Sequence, residues 1–411
     1  MNDWKTCSIE PELCEIIAGG TPPTGNKDYW NGEVLWITPA DMSKVGRRYI
    51  SNSERRITVK GVKYSTGKLM PVNSVIISCR APVGYCVMAT EPFATNQGCK
   101  TLLCKNVEPG YLYYYLLNST QELVKVSSGT TFLELSKREL ARFQIRMPSD
   151  LPTQRKIVEV LESIEDVIDR TKETIAKYRN LKIGVLEDFV KVGSNGYPDL
   201  LNTSKPVIAK EWKFRCLDEL TSKIADRDHT TPIYVKNDGI LIVSPKDFDD
   251  ENIDFSNCKM ISLKEHLINR KRTDIEPGDL IFTRIGAGLG KVCLVTEDMP
   301  EFSILHSAAM IRTNSLINNR YLVQIIRSFY FQKQISMGIQ SIGVPDLGMD
   351  KIKELMILYP SDIKVQEHIA DVLEEIDNNI LNEKTHLKKL QDIKSGLMHD
   401  LLSGVVDVST I

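Results

Sequence analysis

The stretch PSDLPTQRKIVEVLESIEDVID occupies residues 148–169, and PSDIKVQEHIADVLEEIDNNIL occupies residues 360–381, 212 positions later. Extended without a gap, residues 148–188 match residues 360–400 at 15 of 41 positions. Chance would leave about two or three. In each copy the apolar residues fall three and four apart: Ile157, Leu161, Ile164, Ile168, Ile175 and Tyr178, then Ile369, Leu373, Ile376, Ile380, Leu387 and Leu390. That spacing predicts a coiled-coil seam, interrupted at the same place by Thr171 and Glu383. Pro148 and Pro360 precede the helices, where a ring without an N–H costs no internal hydrogen bond. A helix of this kind runs roughly 60 Å at 1.5 Å per residue and needs a partner along its apolar stripe. Its own duplicate, lying antiparallel, supplies one.

Working outward, the regions before each helix also correspond. DWK at 3–5 matches EWK at 211–213, and LWITPAD at 35–41 matches LIVSPKD at 241–247. NSVIISCRAPVG at 73–84 resembles GDLIFTRIGAG at 278–288, which places Arg80 near Arg284. GTTFLELSKREL at 129–140 and SIGVPDLGMDKI at 341–352 stand at the same distance from the helices that follow. The chain therefore divides into a first domain (1–147), a first long helix (148–192), a turn-rich linker (193–209), a second domain (210–359), and a second long helix with its tail (360–411). Each domain mixes short β-rich runs with helical pieces and Gly/Pro/Thr/Asn-rich loops. The predicted class is α+β, with two mixed domains separated by two long antiparallel helices and related by a pseudo-two-fold internal repeat.

Length and composition agree with that division. The chain has 411 residues, more than a single core usually serves. A net charge of -2 excludes a uniformly basic coat, yet charge is unevenly spread. Residues 1–147 carry 18 basic and 13 acidic side chains, and residues 360–411 carry 5 and 10. Lys44, Arg47, Arg48, Arg55, Arg56, Lys60, Lys63 and Lys68 face a single acid, Glu54, in that interval, and Lys264, Arg270, Lys271 and Arg272 form a second basic run. Such patches suit a phosphate backbone, which they position without reading. The nine cysteines show no C-x-x-C spacing, so reduced thiols are expected rather than disulfides or a zinc cage. The start, MNDWKTCSIEPE, lacks a basic-then-apolar signal and no apolar run is long enough to span a bilayer, so a soluble cytoplasmic protein is expected.

Four chemical readings fail on the residues. GAGLGK at 286–291 imitates a phosphate loop, but Ile285 stands where the first glycine is needed and Val292 where Ser or Thr would hold a metal. A glycine hairpin is expected there. Asp199 with Glu211 and Lys213 has the order of a metal-dependent nuclease and gives the alternative reading, a self-contained Mg-dependent endonuclease. Against it, Asp199 lies in the linker and the EWK is explained by its twin DWK. His229, His266, His306, His368, His386 and His399 have no ligand spacing, so no metal site is expected, and the D/N-P-P-Y/F adenine-methylation motif is missing.

In combination, GGTPPTGNKDYWNGEVLWITPADM (19–42), CRAPVGY (79–85), NQGCK (96–100), SSGTTFLELSK (127–137) and the run from Met147 resemble the specificity subunit of type I restriction-modification systems. The second half, with DRDHTTPIYV (226–235) and DLIFTRIGAGLGKV (279–292), resembles another branch of the same module. Departures are Cys79, where the family often has serine, and His306-Ser307 in place of Asn96-Gln97-Gly98. The resemblance implies two target-recognition domains, each reading one half of an asymmetric bipartite site in double-stranded DNA. It implies two modification subunits that methylate adenine with S-adenosylmethionine, and restriction subunits that use ATP and Mg. This chain itself is then a non-catalytic recognition subunit, without a cofactor or metal of its own and without a membrane partner. The long helices are expected to set the spacer between half-sites.

The candidate DNA-contacting residues are the polar and basic members of the loop motifs. In the first domain they are Thr21, Lys27, Tyr29, Thr38, Arg80, Gln97, Lys100 and Thr130. In the second they are His229, Thr230, Tyr234, Ser244, Arg284, His306 and Ser307. Arg80 and Arg284 lead the set, because each ends an apolar strand at a glycine-containing turn, where a guanidinium can reach a guanine edge or a phosphate. Tyr29, Trp30 and Trp36 read as core or loop packing ahead of base stacking, and Thr38 and Ser244 have the alternative of caps of the turns before Pro39 and Pro245.

Overall fold

The protein is described here by a computed structural model, which covers residues 3–128, 133–194, 210–248, 252–286, 288–338 and 344–406. Its contacts form two compact units, Met1–Glu173 with Thr385–Ile411, and Thr174–Lys384. Each unit takes in a domain, the first half of the helix that follows it and the second half of the other long helix.

Both long helices form as the periodicity predicts, over Leu151–Gly193 and Ile363–Ser403. Asp150 begins the first by accepting from the Thr153 N–H at 2.8 Å, a bond that holds its carboxyl below the usual range. Asp362 does the same for the Lys364 N–H at 2.9 Å. The second helix stops at Gly404, whose φ of +75° suits the left-handed cap that glycine adopts without strain. In the first unit Ile157, Val158 and Leu161 pack with Met398, Leu401 and Leu402 in one core. In the second, Ile369, Ala370 and Leu373 pack with Leu186. Within each unit, therefore, the start of one long helix lies against the end of the other, an antiparallel pairing. Thr171, the seam's interruption, is buried and returns its hydroxyl to the Val167 carbonyl at 2.9 Å.

The first unit carries a five-stranded sheet in the order Cys14–Ala18, Cys99–Cys104, Val75–Ser78, Cys86–Ala89, Tyr49–Ile50. Beside it stands a three-stranded sheet of Arg56–Ile57, Trp30–Ile37 and Phe93–Thr95. The second unit repeats the plan with four-stranded sheets, Thr221–Asp226, Ala308–Thr313, Leu280–Thr283, Val292–Leu294, and Tyr234–Val235, Lys259–Ile261, Ile240–Val243, Phe302–Ile304. In both, a parallel pair (Trp36 opposite Ala94, Ile242 opposite Ser303) sits inside the smaller or second sheet. A short antiparallel ladder ties the start of each domain to its end: Trp4 opposite Pro148, and Trp212 opposite Pro360.

The repeat extends to buried polar groups that the sequence reading passed over. Gln154 donates to the Pro148 carbonyl at 2.8 Å and accepts from the Glu108 N–H at 2.9 Å. Gln366 makes the same bonds to Pro360 (2.8 Å) and Asn318 (2.7 Å). Tyr111 donates to the Arg146 carbonyl and Tyr321 to that of Leu358. Each amide locks a long helix to the strand and loop before it, where an unpaired backbone group in the core would be costly. The strands Leu280–Thr283 and Val292–Leu294 pair as the expected hairpin: Gly290 (φ +88°) donates to the Thr283 carbonyl, and Phe282 stands opposite Val292.

Candidate nucleic-acid interface

Both units build a loop-rich end from the same main-chain frame, and the frame fixes which residues correspond. In the first unit Cys79 N–H donates to the Gly98 carbonyl, the Leu135 N–H donates to the Cys79 carbonyl, and Arg80 bridges to Glu134. In the second, Arg284 N–H donates to the Ser307 carbonyl, the Leu347 N–H donates to the Arg284 carbonyl, and Ile285 bridges to Asp346. The structural counterpart of Arg284 is thus Cys79, and that of Arg80 is Ile285. Arg80 and Arg284, near one another in the matched strings, are therefore one register position apart. In a strand one residue is a change of face, so the two arginines point opposite ways.

Their environments differ accordingly. Arg80 has a half-exposed side chain paired with Glu134 at 3.3 Å. Arg284 is 4% exposed; its guanidinium donates to the His306 carbonyl at 3.0 Å and pairs with Asp346 at 3.2 Å and Asp226 at 3.5 Å. In the first unit the buried cation comes from the neighbouring strand instead: Lys100, 7% exposed, donates to the Leu135 carbonyl at 2.6 Å beside Cys79. Burial pushes the Cys79 thiol up, and Lys100 pulls it the other way. Lys100 and Arg284 hold the loop frame from inside, whereas Arg80 reaches solvent.

The same frame aligns the reading loops. Ala18 stands opposite Lys100 and Asp226 opposite Ala309, so Thr21 corresponds to His229 and Gln97 to His306. In each unit the two side chains meet. The Thr21 hydroxyl donates to Gln97 Oε1. The rings of His229 and His306 lie 5.2 Å apart, tilted by 30°. His229 Nε2 sits 3.2 Å from Asp226 Oδ2, and Asp226 also receives Arg272 at 3.2 Å. Burial depresses the basicity of His306, and the cationic neighbours Arg284 and Arg227 add to the effect after His229.

The remaining candidates are placed as follows. Lys27 is exposed and Tyr29 is buried, its ring stacked on exposed Tyr64 at 5.2 Å. Trp30 and Trp36 are buried and meet edge to face at 5.0 Å. Thr38 caps the helix Pro39–Ser43 in a reciprocal box with Asp41, and Ser244 makes the matching bonds to Asp247, N–H at 2.9 Å and hydroxyl at 2.5 Å. Thr230 is exposed, with its carbonyl taken by Arg227 at 2.6 Å. Tyr234 is exposed under the Lys259 ammonium, 4.1 Å from the ring centre. Ser307 is half-buried and offers its carbonyl to Arg284. Thr130 lies outside the described residues.

The basic run of the first domain is less free than its sequence suggests. Lys44 pairs with Glu54, Arg47 with Asp169, Arg48 with Glu162, Arg56 with Glu91 and Lys60 with Asp28. Arg55 stacks 3.4 Å from the Trp30 ring centre. Lys63 and Lys68 are exposed and have no carboxylate partner among the described residues. Sequence reasoning also missed Asp226, a buried acid at the end of the strand Thr221–Asp226. The nuclease triad does not gain support: Asp199 lies outside the described residues, Glu211 accepts from Ser361 through its main-chain carbonyl, and Lys213 stands in a strand opposite Tyr359. Among the described residues no helix is long and apolar enough to cross a membrane.

Comparison with known proteins follows the duplicated frame. The family described as "Type I restriction modification DNA specificity domain" matches twice, over residues 1–177 and 209–392. The chain is 28% identical, over its whole length and 95% of the relative, to the type I restriction enzyme MjaIX specificity subunit of Methanocaldococcus jannaschii. It is 27% identical to the EcoR124I/EcoR124II specificity subunit of Escherichia coli, over 44% of this chain and 45% of that one. Its fold is similar to the S subunit of a type I restriction-modification system from M. genitalium, with a TM-score of 0.58 at 15% identity over 97% of this chain and 96% of that one.

Proposed function

The chain belongs to the type I restriction-modification DNA specificity family, and on that premise we propose that its two units read the two halves of one asymmetric, bipartite site in double-stranded DNA. The observation that carries this reading is the combination of a conserved frame with divergent tips. Gln154 and Gln366, and Tyr111 and Tyr321, repeat their bonds to the matching main-chain groups, and Thr38 and Ser244 each send N–H and hydroxyl to an aspartate three residues on. At the tips Thr21 is replaced by His229, Gln97 by His306 and Arg80 by Ile285. Two copies of one scaffold with different polar ends suit two different base sequences, since hydrogen-bonding side chains at base edges carry specificity.

The further parts of this reading concern partners. Two modification subunits would methylate adenine with S-adenosylmethionine, and restriction subunits would consume ATP and require Mg; those cofactors belong to the partners. The setting is cytoplasmic. Methylome sequencing of cells with and without the gene tests the reading: a bipartite adenine-methylated motif should vanish with the gene. Replacing residues 1–147 with the corresponding domain of a relative should change one half of that motif and keep the other. A motif whose halves change together would reject independent reading.

A further inference from the structure

The His229 and His306 pair is the least expected feature of the second unit, because the first unit solves the same position with Thr21 and Gln97. Asp226, 3% exposed, is charge-paired with Arg272 and Arg284, so its carboxylate only accepts. His229 Nε2, 3.2 Å from Asp226 Oδ2, is then the nitrogen that donates, and in the neutral imidazole Nδ1 carries no proton. That leaves Nδ1 as a hydrogen-bond acceptor on a side chain that is 64% exposed. His306 supports the ring from one side, and its own carbonyl is held by buried Arg284. The acceptor is thus fixed by two buried charges and a second ring, as a reading group must be if it is to discriminate.

We propose that His229 determines specificity in the half-site read by the second unit, by accepting from the exocyclic amino group of an adenine or a cytosine in the major groove through Nδ1. This rests on the DNA-specificity reading above. In the major groove adenine N6 and cytosine N4 donate, whereas guanine O6 and thymine O4 accept, so an acceptor here favours the first two and repels the others. Asp226 and His306 are positioning residues, because they act through the His229 ring. Thr21 and Gln97 occupy the corresponding place in the first unit with a hydroxyl and an amide, which offer a different pattern and read a different base.

The test uses the full chain co-expressed with its modification subunits, with methylome sequencing as the readout. The wild type should give a bipartite motif; no such motif would overturn the DNA-specificity reading itself. Given the motif, His229→Ala should relax one position of one half-site, cutting its preference for an amino-bearing base about ten-fold while the other half-site is kept. His229→Asn, which retains an acceptor, should restore part of that preference. An unchanged motif in His229→Ala would overturn the inference and leave the broader reading intact. Should His229→Ala fold poorly by thermal melting, His229→Phe takes its place: it keeps a ring against His306 and carries no acceptor, so the same position should relax, and an unrelaxed position would equally reject the proposal.

Discussion

Lys182 reaches both carboxylate oxygens of Asp377, at 2.6 and 2.7 Å, and the residues 212 positions away repeat the pair with the roles kept: Lys394 binds Glu165 at 2.6 Å. The repeat maps Glu165 onto Asp377 and Lys182 onto Lys394, so each unit joins an acid from the start of one helix to a lysine from the end of the other. Asp377 also receives Gln324 at 3.1 Å and Arg327 at 3.5 Å, and Glu165 receives the Tyr114 hydroxyl at 2.8 Å. Asp377→Ala should therefore destabilise the second unit by about 2–3 kcal/mol, because two partly buried cations lose their common carboxylate. Urea unfolding measures it; a change within experimental error would show that the helices pair through their apolar seam alone.

Gln366 predicts a larger single-site loss for a neutral residue. Its amide satisfies the Asn318 N–H and the Pro360 and Leu316 carbonyls inside the core. Gln366→Leu keeps the volume and strands those groups, at about 2–4 kcal/mol. Gln154→Leu should cost a similar amount in the first unit, where it satisfies Glu108 and Pro148. Hydrogen exchange should open first at the start of the affected helix.

Arg80 and Arg284 should respond oppositely to the same substitution. Arg80→Ala removes an exposed cation and should leave the melting temperature unchanged while weakening DNA binding and, for a phosphate contact, lowering the salt slope by about one. Arg284→Ala takes the buried cation from Asp226, which keeps only Arg272 and His229, and the donor from the His306 carbonyl, and should cost about 3 kcal/mol. Binding titrations across salt concentrations, beside thermal melts, separate the two.

His306 gives the pH dependence. Its folded basicity is depressed, mainly by burial, so the unfolded chain binds this proton more readily. Stability of the second unit should be complete above the ordinary imidazole pKa of about 6.5 and fall as pH drops below it, toward the lower folded value. Stability curves of wild type and His306→Gln should run parallel above that range, and wild type should lose stability relative to the variant as pH falls through it; a constant separation throughout would mean that His306 is not held neutral.

The sequence by itself settled the duplication, the two long helices and the α+β class, because a repeated apolar stripe leaves few other ways to bury itself. Thr38 and Ser244 were legible as caps, since a hydroxyl followed by proline and, three residues on, aspartate satisfies its neighbours locally. Only the tertiary structure decided the rest. Arg80 and Arg284 lie near one another in the matched strings, but strand register sets which face a side chain takes, and register is fixed by hydrogen bonds to Gly98 and Ser307 far along the chain. Arg47 and Arg48 read as free charge until the long helix brings Asp169 and Glu162 against them. His229 and His306, 77 residues apart, have no mutual spacing in the sequence; two strands laid side by side make them neighbours. Local propensity is written in adjacent residues, whereas these contacts exist only after the sheets have closed.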